Sequence, residues 1–150
     1  MPTSKKPRKK YQARPAGADF IKAFRFNSEA DFWLKNQPHQ ALESMRTGTA
    51  TANDLDAVSL RVLWGAQMAE DHIVEAEPKA IMRQGIAALD SVAARYDRIG
   101  RVGLAGEELR QLGEAITLTD DLQSTLTRRE MEQSLKIVLG KRNQQIGAQA

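Results

Sequence analysis

The sequence predicts an all-α bundle of about five helices, preceded by a disordered basic N-terminal arm. Apolar residues recur at three- and four-residue steps along most of the chain, and capping-box spacings stand just before several of these runs. The arm differs in composition, because its first 18 residues contain six cations, three prolines and no acid. We therefore expect a disordered arm at 1–18, a helical bundle at 19–140 and a frayed polar tail at 141–150.

The first predicted helix begins at Ser28, which precedes Asp31 by the three residues of a capping box. The aromatic segment 20–26 before it is expected to pack on the bundle as an irregular lead-in. Pro38 is expected to break or kink the helix, because proline removes a backbone donor and crowds the preceding turn. The helix then resumes and ends at Gly48, since glycine after a terminal cation is typical of a helix C-terminus.

The second predicted helix is the longest and begins at the next capping-box spacing, Thr51 and Asp54. Leu63 and Trp64 widen its apolar stripe, so we expect neighbours on two of its sides. The stripe itself consists of Leu55, Val58, Val62, Ala66, Ala69 and Ile73.

Three more helices follow. Pro78 is expected at the first position of the third helix, where its missing N–H costs nothing. Gly85 and the alanines around it leave room for close helix approach, either within the chain or across a homodimer. A loop over 100–106 separates this helix from a fourth at about 107–125. A capping-box spacing at Thr127 and Glu130 then opens a last helix, and Gly140 is expected to end it.

Composition excludes several classes of protein. The chain has no cysteine, so disulfides, thiolate catalysis, zinc fingers and iron–sulfur ligation are ruled out. No apolar run approaches the roughly 20 residues of a membrane span, and the N-terminus lacks the apolar stretch of a secretion signal. We expect no membrane contact and a cytoplasmic protein, or a nuclear one in a eukaryotic host.

The arm is the strongest functional feature. Clustered Lys and Arg neutralise phosphates and release counterions, which favours sequence-independent binding to nucleic acid, and Tyr11 is placed to stack on an exposed base. Pro7 keeps the cluster extended, so we expect no recognition helix and no specific base readout. The alternatives are a solubilising tail, a nuclear-import signal, or docking on an acidic protein surface, including this protein's own. The candidate binding residues are Lys5, Lys6, Arg8, Lys9, Lys10, Tyr11 and Arg14.

Three aromatic residues, Phe24, Phe26 and Trp33, are candidates for a protein interface if they form an exposed patch. Packing in the core or at its edge is the alternative for Trp33, as it is for Trp64.

A metal site is not expected. His72 and Glu75 stand at helical spacing, but a di-metal bundle needs such a pair twice together with further carboxylates. The second histidine, His39, has no matching acid at that spacing. We predict no metal and no cofactor, and a solvated helix end at His72.

The glycine-rich loop Gly100–Gly106, with Arg98 and Arg101 nearby, is a weaker candidate for phosphate binding. Phosphate loops of known type follow a β-strand, whereas a helix precedes this loop. A flexible hinge between two helices is therefore the expected role.

Two stretches carry a resemblance to known proteins: KKPRKKY at Lys5–Tyr11 and RTGTATANDLD at Arg46–Asp56. They resemble small helical proteins encoded by phages and prophages of proteobacteria, which pair a similar basic start with a TG-x-AT-x-x-D-[IL]-D motif. This chain departs from that pattern at Gln12-Ala13-Arg14-Pro15, where the related start is shorter. The resemblance implies a mobile-element origin, an accessory role in the host cytoplasm and no assigned site residues.

Together these observations predict a non-enzymatic accessory protein that acts by binding. Its arm is expected to contact nucleic acid or a nucleoprotein complex, while the bundle provides oligomerisation or partner contacts. The alternative is a protein-binding modulator or inhibitor of a host defence or regulatory complex. A third reading, an enzyme or small-ligand binder, would use the loop at 100–106.

Overall fold

The computed structural model describes the backbone of residues 28–148 and the side chains of residues 35–148. Within that range the chain forms α-helices and no strand, which confirms the predicted all-α bundle. The basic arm, the segment 20–26 and the side chain of Trp33 lie outside the described residues. The helices are α1 (Ser28–Thr47), α2 (Ala52–His72), α3 (Ala76–Ile99), α4 (Gly106–Thr125) and α5 (Arg128–Ala148).

The central helix is α2, which packs against all four of the others. Around it, α4 also packs on α1 and α3, whereas α5 packs chiefly on α2. Burial extends around much of the circumference of α2, since Val58, Val62, Trp64 and Met68 are all buried. The neighbours predicted for this helix are thus present, but Leu63 remains 36% exposed at the surface.

Two predicted helix starts are confirmed by their hydrogen bonds. At α2, the backbone N–H of Thr51 donates to Asp54 Oδ2 at 2.8 Å. At α5, the N–H of Thr127 donates to Glu130 Oε2 at 2.8 Å, and the N–H of Glu130 donates back to Thr127 Oγ1 at 3.2 Å. These bonds satisfy backbone donors that have no partner within the helix.

Pro38 and Pro78 do not occupy the helical positions that the sequence predicted. Pro38 does not break α1, which runs continuously through it with the proline ring buried. Proline removes only one backbone bond, and the buried side chains of Ala41 and Met45 in the following turn hold the helix in place. Pro78 is the third residue of α3 rather than the first, yet it still lies in the turn whose N–H groups lack partners.

The expected end at Gly140 is wrong, because α5 continues through it to Ala148. Glycine ends a helix when it takes a left-handed conformation, and among the described residues only Gly48 and Gly100 have positive φ. Gly140 keeps the helical conformation, so residues 141–148 form helix where a frayed tail was predicted.

Close contact between α2, α3 and α4 depends on two glycines. A Cβ on Gly85 would lie 2.7 Å from Ala115 Cβ and 3.3 Å from Val62 Cγ1. A Cβ on Gly65 would overlap the hydroxyl of Thr119 and lie 2.8 Å from Met82 Cε. The close approach predicted at Gly85 therefore occurs within the chain, and Gly65 supplies a second contact that the sequence analysis did not single out.

We expect Gly65→Ala to destabilise the fold by about 1–3 kcal/mol, because the added methyl group overfills a packed site. Gly140→Ala is the matched control, since a Cβ there meets nothing within 4 Å. It should stabilise the protein by about 0.5–1 kcal/mol, as alanine is the better helix former. Urea unfolding followed by circular dichroism measures both. Equal effects from the two substitutions would contradict the close packing at Gly65.

Candidate functional site

A groove of about 500 Å³ lies over α2, with α3 on one side and α5 on the other. Both flanking helices pack on α2 but make no comparable contact with each other, so the surface of α2 stays accessible between them. Five apolar residues line the groove: Leu63, Ala66, Met82, Ile86 and Val138. Its polar lining consists of Asp56, Ser59, Gln67, Glu70, Lys79, Arg83, Lys141, Arg142 and Gln145.

The three helices present the same residue spacing to the groove. Each contributes residues at i, i+3, i+4 and i+7, the spacing of a single helix face. On α2 the lining extends from Asp56 to Glu70, a rise of about 21 Å at 1.5 Å per residue. The sets are Leu63, Ala66, Gln67 and Glu70; Lys79, Met82, Arg83 and Ile86; and Val138, Lys141, Arg142 and Gln145.

Cations outnumber acids in the groove by four to two. Lys79 Nζ lies 3.9 Å from Glu70 Oε2, and the Lys79 side chain is 25% exposed whereas that of Glu70 is 70% exposed. Arg142 Nη2 likewise lies 3.4 Å from Asp56 Oδ1, with exposures of 27% and 64%. The cationic side chains therefore lie against the walls, while their acidic partners project into solvent.

The other two groove cations have no carboxylate partner among the described residues. Lys141 Nζ donates to the amide oxygen of Gln67 at 3.3 Å. Arg83 is exposed and makes no hydrogen bond or ion pair with any residue that the structure describes. Both side chains are consequently available to an anionic group in the groove.

A polar cluster around the buried Arg61 connects α1, α2 and α4. The Arg61 side chain is 4% exposed, and its Nη2 donates to Asp120 Oδ1 at 2.7 Å and to Gln123 Oε1 at 2.6 Å. His39 Nε2 lies 2.6 Å from the other oxygen of Asp120. Burial lowers the pKa of Arg61, although the hydrogen bond that Arg61 donates to Asp120 acts in the opposite direction. The cluster holds three helices at a fixed offset.

This cluster was not predicted from the sequence, although Arg61 carries one recognisable signal. Arg61 stands between Val58 and Val62, inside the apolar stripe of α2, where a charge requires a buried partner. Its guanidinium also lies 5.6 Å from the ring centroid of Trp64, within the range of a cation–π contact. The Trp64 indole N–H in turn donates to the carbonyl oxygen of Met131 at 3.0 Å, which connects α2 to α5.

A second ion pair fixes the loop between α3 and α4. Arg95 donates from Nη1 and Nη2 to the two carboxylate oxygens of Glu108 at 2.8 and 3.0 Å, and from Nη1 to the carbonyl of Gly103 at 2.7 Å. Glu108 also accepts the backbone N–H of Ala105 at 2.8 Å. The hydrogen bond from Arg95 is the main reason that the pKa of Glu108 lies below its ordinary value. These contacts restrain a loop that the sequence predicted to be a flexible hinge.

The residues of the predicted phosphate loop are only partly brought together. Gly100, Arg101 and Gly103 line a cleft where this loop faces residues 48–51, which join α1 to α2, and the first residue of α2, Ala52. Gly106 is instead the first residue of α4, and Arg98 does not line the cleft. The structure thus offers no complete cradle of the predicted glycines and arginines.

The candidate metal pair is separated by a helix boundary. His72 is the last residue of α2, whereas Glu75 immediately precedes α3, so the prediction that they share a helix face is wrong. Over the described part of the chain, no three side chains of the metal-binding types converge. None of the five described helices has the length and apolar content that crossing a membrane requires.

Comparisons with known proteins add no further assignment: no protein-family model, curated protein or solved structure matches the chain. The residues proposed from the sequence for nucleic-acid or protein binding lie outside the described side chains. These residues are Lys5, Lys6, Arg8, Lys9, Lys10, Tyr11, Arg14, Phe24, Phe26 and Trp33. The groove was not anticipated from the sequence.

We expect Glu108→Gln to destabilise the fold by about 1–3 kcal/mol at neutral pH, because Arg95 loses its charged partner. Since folding lowers the pKa of Glu108, its contribution is complete above the ordinary glutamate pKa of about 4.3 and is lost as the pH falls through the lowered value. The difference in unfolding free energy between wild type and variant should therefore shrink in acid. Urea unfolding at a series of pH values measures it.

The neighbouring substitution Glu107→Gln is the control for that experiment. Glu107 pairs with Arg110 on the exposed face of α4, where both side chains are at least half exposed. Solvent screens such pairs, so this variant should show little change at any pH. A pH-independent loss of stability in Glu108→Gln would assign its effect to packing instead of charge.

Proposed function

We propose that this protein is a non-enzymatic accessory protein of the phage type that contacts nucleic acid, or a nucleoprotein complex, through its basic arm. One observation carries the proposal: residues 1–18 hold six cations and no acid. By contrast, residues 28–148 hold 14 Lys and Arg against 18 Asp and Glu. The excess positive charge that would attract phosphates is thus concentrated in the arm.

The range of electrostatic forces supports a local role for the arm. At physiological salt, interactions between exposed charges fall off within about 8 Å, so a phosphate chain responds to nearby charge and not to the net charge of the molecule. Lys and Arg at this density release condensed counterions from nucleic acid, which drives binding without sequence preference. The ionisable groups buried in the bundle support the non-enzymatic part of the proposal, because Arg61 and Glu108 are engaged in ion pairs that connect helices.

Protein binding, as a modulator of a host complex, is the second candidate function. The groove over α2 favours it, because an accessible apolar floor suits a protein side chain better than a phosphate chain. In that case the arm would dock on an acidic partner surface.

We expect the full-length protein to bind labelled DNA and RNA with an affinity that falls steeply as salt rises. With all six cations on duplex phosphates, the log–log slope should approach roughly −5 between about 50 and 300 mM salt. Replacing Lys5, Lys6, Lys9 and Lys10 by Gln leaves two cations in the arm, so the salt dependence should become weaker, with a slope of roughly −2. Fluorescence anisotropy on single- and double-stranded probes measures both slopes.

The matched control replaces the same four lysines by arginine, which preserves the charge and should preserve both slope and affinity. A slope near zero for the unaltered protein, or an affinity that the glutamine variant does not change, would remove nucleic acid as the partner of the arm.

A further inference from the structure

We propose that the groove over α2 binds an acidic amphipathic helix of a partner protein, about 15 residues or four turns long. The proposal rests on the second candidate function, protein binding, and gives it a surface and a partner chemistry. The lining residues that the structure describes belong to α2, α3 and α5, so the proposal can be tested separately from nucleic-acid binding by the arm.

The shape of the groove suits a helix. Its floor is the exposed face of one helix and its walls are two others, so an inserted helix would pack on three neighbours at once. The floor extends about 21 Å along α2, which matches roughly 15 helical residues. Because all three lining helices present i, i+3, i+4 and i+7 positions, a helix with apolar residues at the same spacing can interdigitate with them.

The apolar floor supplies the contact area. Leu63 is one of few large apolar side chains left exposed in the described part of the chain, and it lies within this groove. Met82, Ile86 and Val138 come from the two walls. Met82 and Val138 are already buried, so an occupant would remove from water mainly the apolar surface of Leu63 and of the half-buried Ala66 and Ile86, at about 25 cal/mol per Å².

Charge selects an acidic helix as the occupant. Arg83 and Lys141 have no carboxylate partner among the described residues, so they can pair with acids on the flanks of the incoming helix. Lys79 and Arg142 lie against the walls, and their exposed ion pairs at 3.9 and 3.4 Å are weak enough to exchange.

The same argument disfavours the other occupants. The chain's own residues 1–27 contain eight Lys and Arg against a single acid, Asp19, so the groove cations would repel this segment. A phosphate chain would satisfy the cations but leave the apolar floor exposed. A second copy of the acidic bundle remains as an outcome of the test.

The test uses three designed, fluorescein-labelled peptides of about 15 residues. The first carries Leu at i, i+3, i+4 and i+7 with Glu on both flanks, the second replaces each Glu by Lys, and the third scrambles the first. Fluorescence anisotropy measures their binding to the full-length protein. We expect the acidic amphipathic peptide to bind at least about tenfold more tightly than either of the others. Equal affinity for all three peptides, or no binding of the first at about 1 mM, overturns the proposal.

Two pairs of variants locate the peptide. Leu63→Gln and Arg83→Glu should each weaken binding by about tenfold, because they remove a floor contact and a flank contact. Their controls are Ile137→Gln and Arg129→Glu, which alter exposed residues of α5 outside the groove and should change affinity less than about twofold. Urea unfolding checks that all four variants stay folded. Equal losses in the groove and control variants overturn the assignment to the groove.

Three further measurements separate the remaining occupants. In the variant with four arm lysines changed to Gln, peptide affinity should be unchanged; loss of peptide affinity would place the peptide on the arm.

Arg83→Glu should leave DNA affinity unchanged, and a loss of DNA affinity would make the groove a nucleic-acid surface. Sedimentation should show that the protein does not self-associate through the groove. Self-association that is abolished by Leu63→Gln would instead make a second copy of the chain the occupant. Any of these three adverse results overturns the proposal for the groove. Nucleic-acid binding by the arm is tested separately, by the salt dependence of DNA and RNA affinity.

Discussion

The close approach of α2, α3 and α4 at two glycines is the constraint on which the rest of the structure depends. Gly65 and Gly85 remove the side chains that would otherwise separate these helices, and Thr119, Ala115 and Met82 occupy the space. Because interiors are packed as densely as organic crystals, a methyl group cannot be accommodated there without moving a helix. The three-helix unit then provides the surfaces on which α1 and α5 pack.

Buried charge complements this packing by fixing how the helices are offset. Hydrophobic contacts are not directional, whereas the hydrogen-bonded ion pairs of Arg61 with Asp120 and of Arg95 with Glu108 depend on the relative orientation of the two groups. The first pair connects the centre of α2 to α4, and the second closes the α3–α4 loop. Such pairs contribute modestly to net stability, but leaving one partner unpaired is costly.

The groove is a consequence of the same arrangement. Since α3 is drawn towards α2 and α4 by the glycine contacts, and α5 packs chiefly on α2, the two helices stand apart over the face that carries Leu63. Cations on both walls then give the gap a charge opposite to that of the bundle as a whole. Excess positive charge therefore occurs both in residues 1–18 of the sequence and in the groove of the described bundle.

The sequence by itself determined the helical class, most helix boundaries and the uneven charge, because periodicity, capping residues and local charge are properties of neighbouring residues. Thr51 with Asp54 and Thr127 with Glu130 marked helix starts correctly for this reason. Tertiary structure decided that α1 continues through Pro38 and α5 through Gly140, although each residue is a local signal for a helix to break or end. It alone decided the partners of Arg61 and the groove between α3 and α5, since both depend on residues far apart in the chain that meet only when the helices pack.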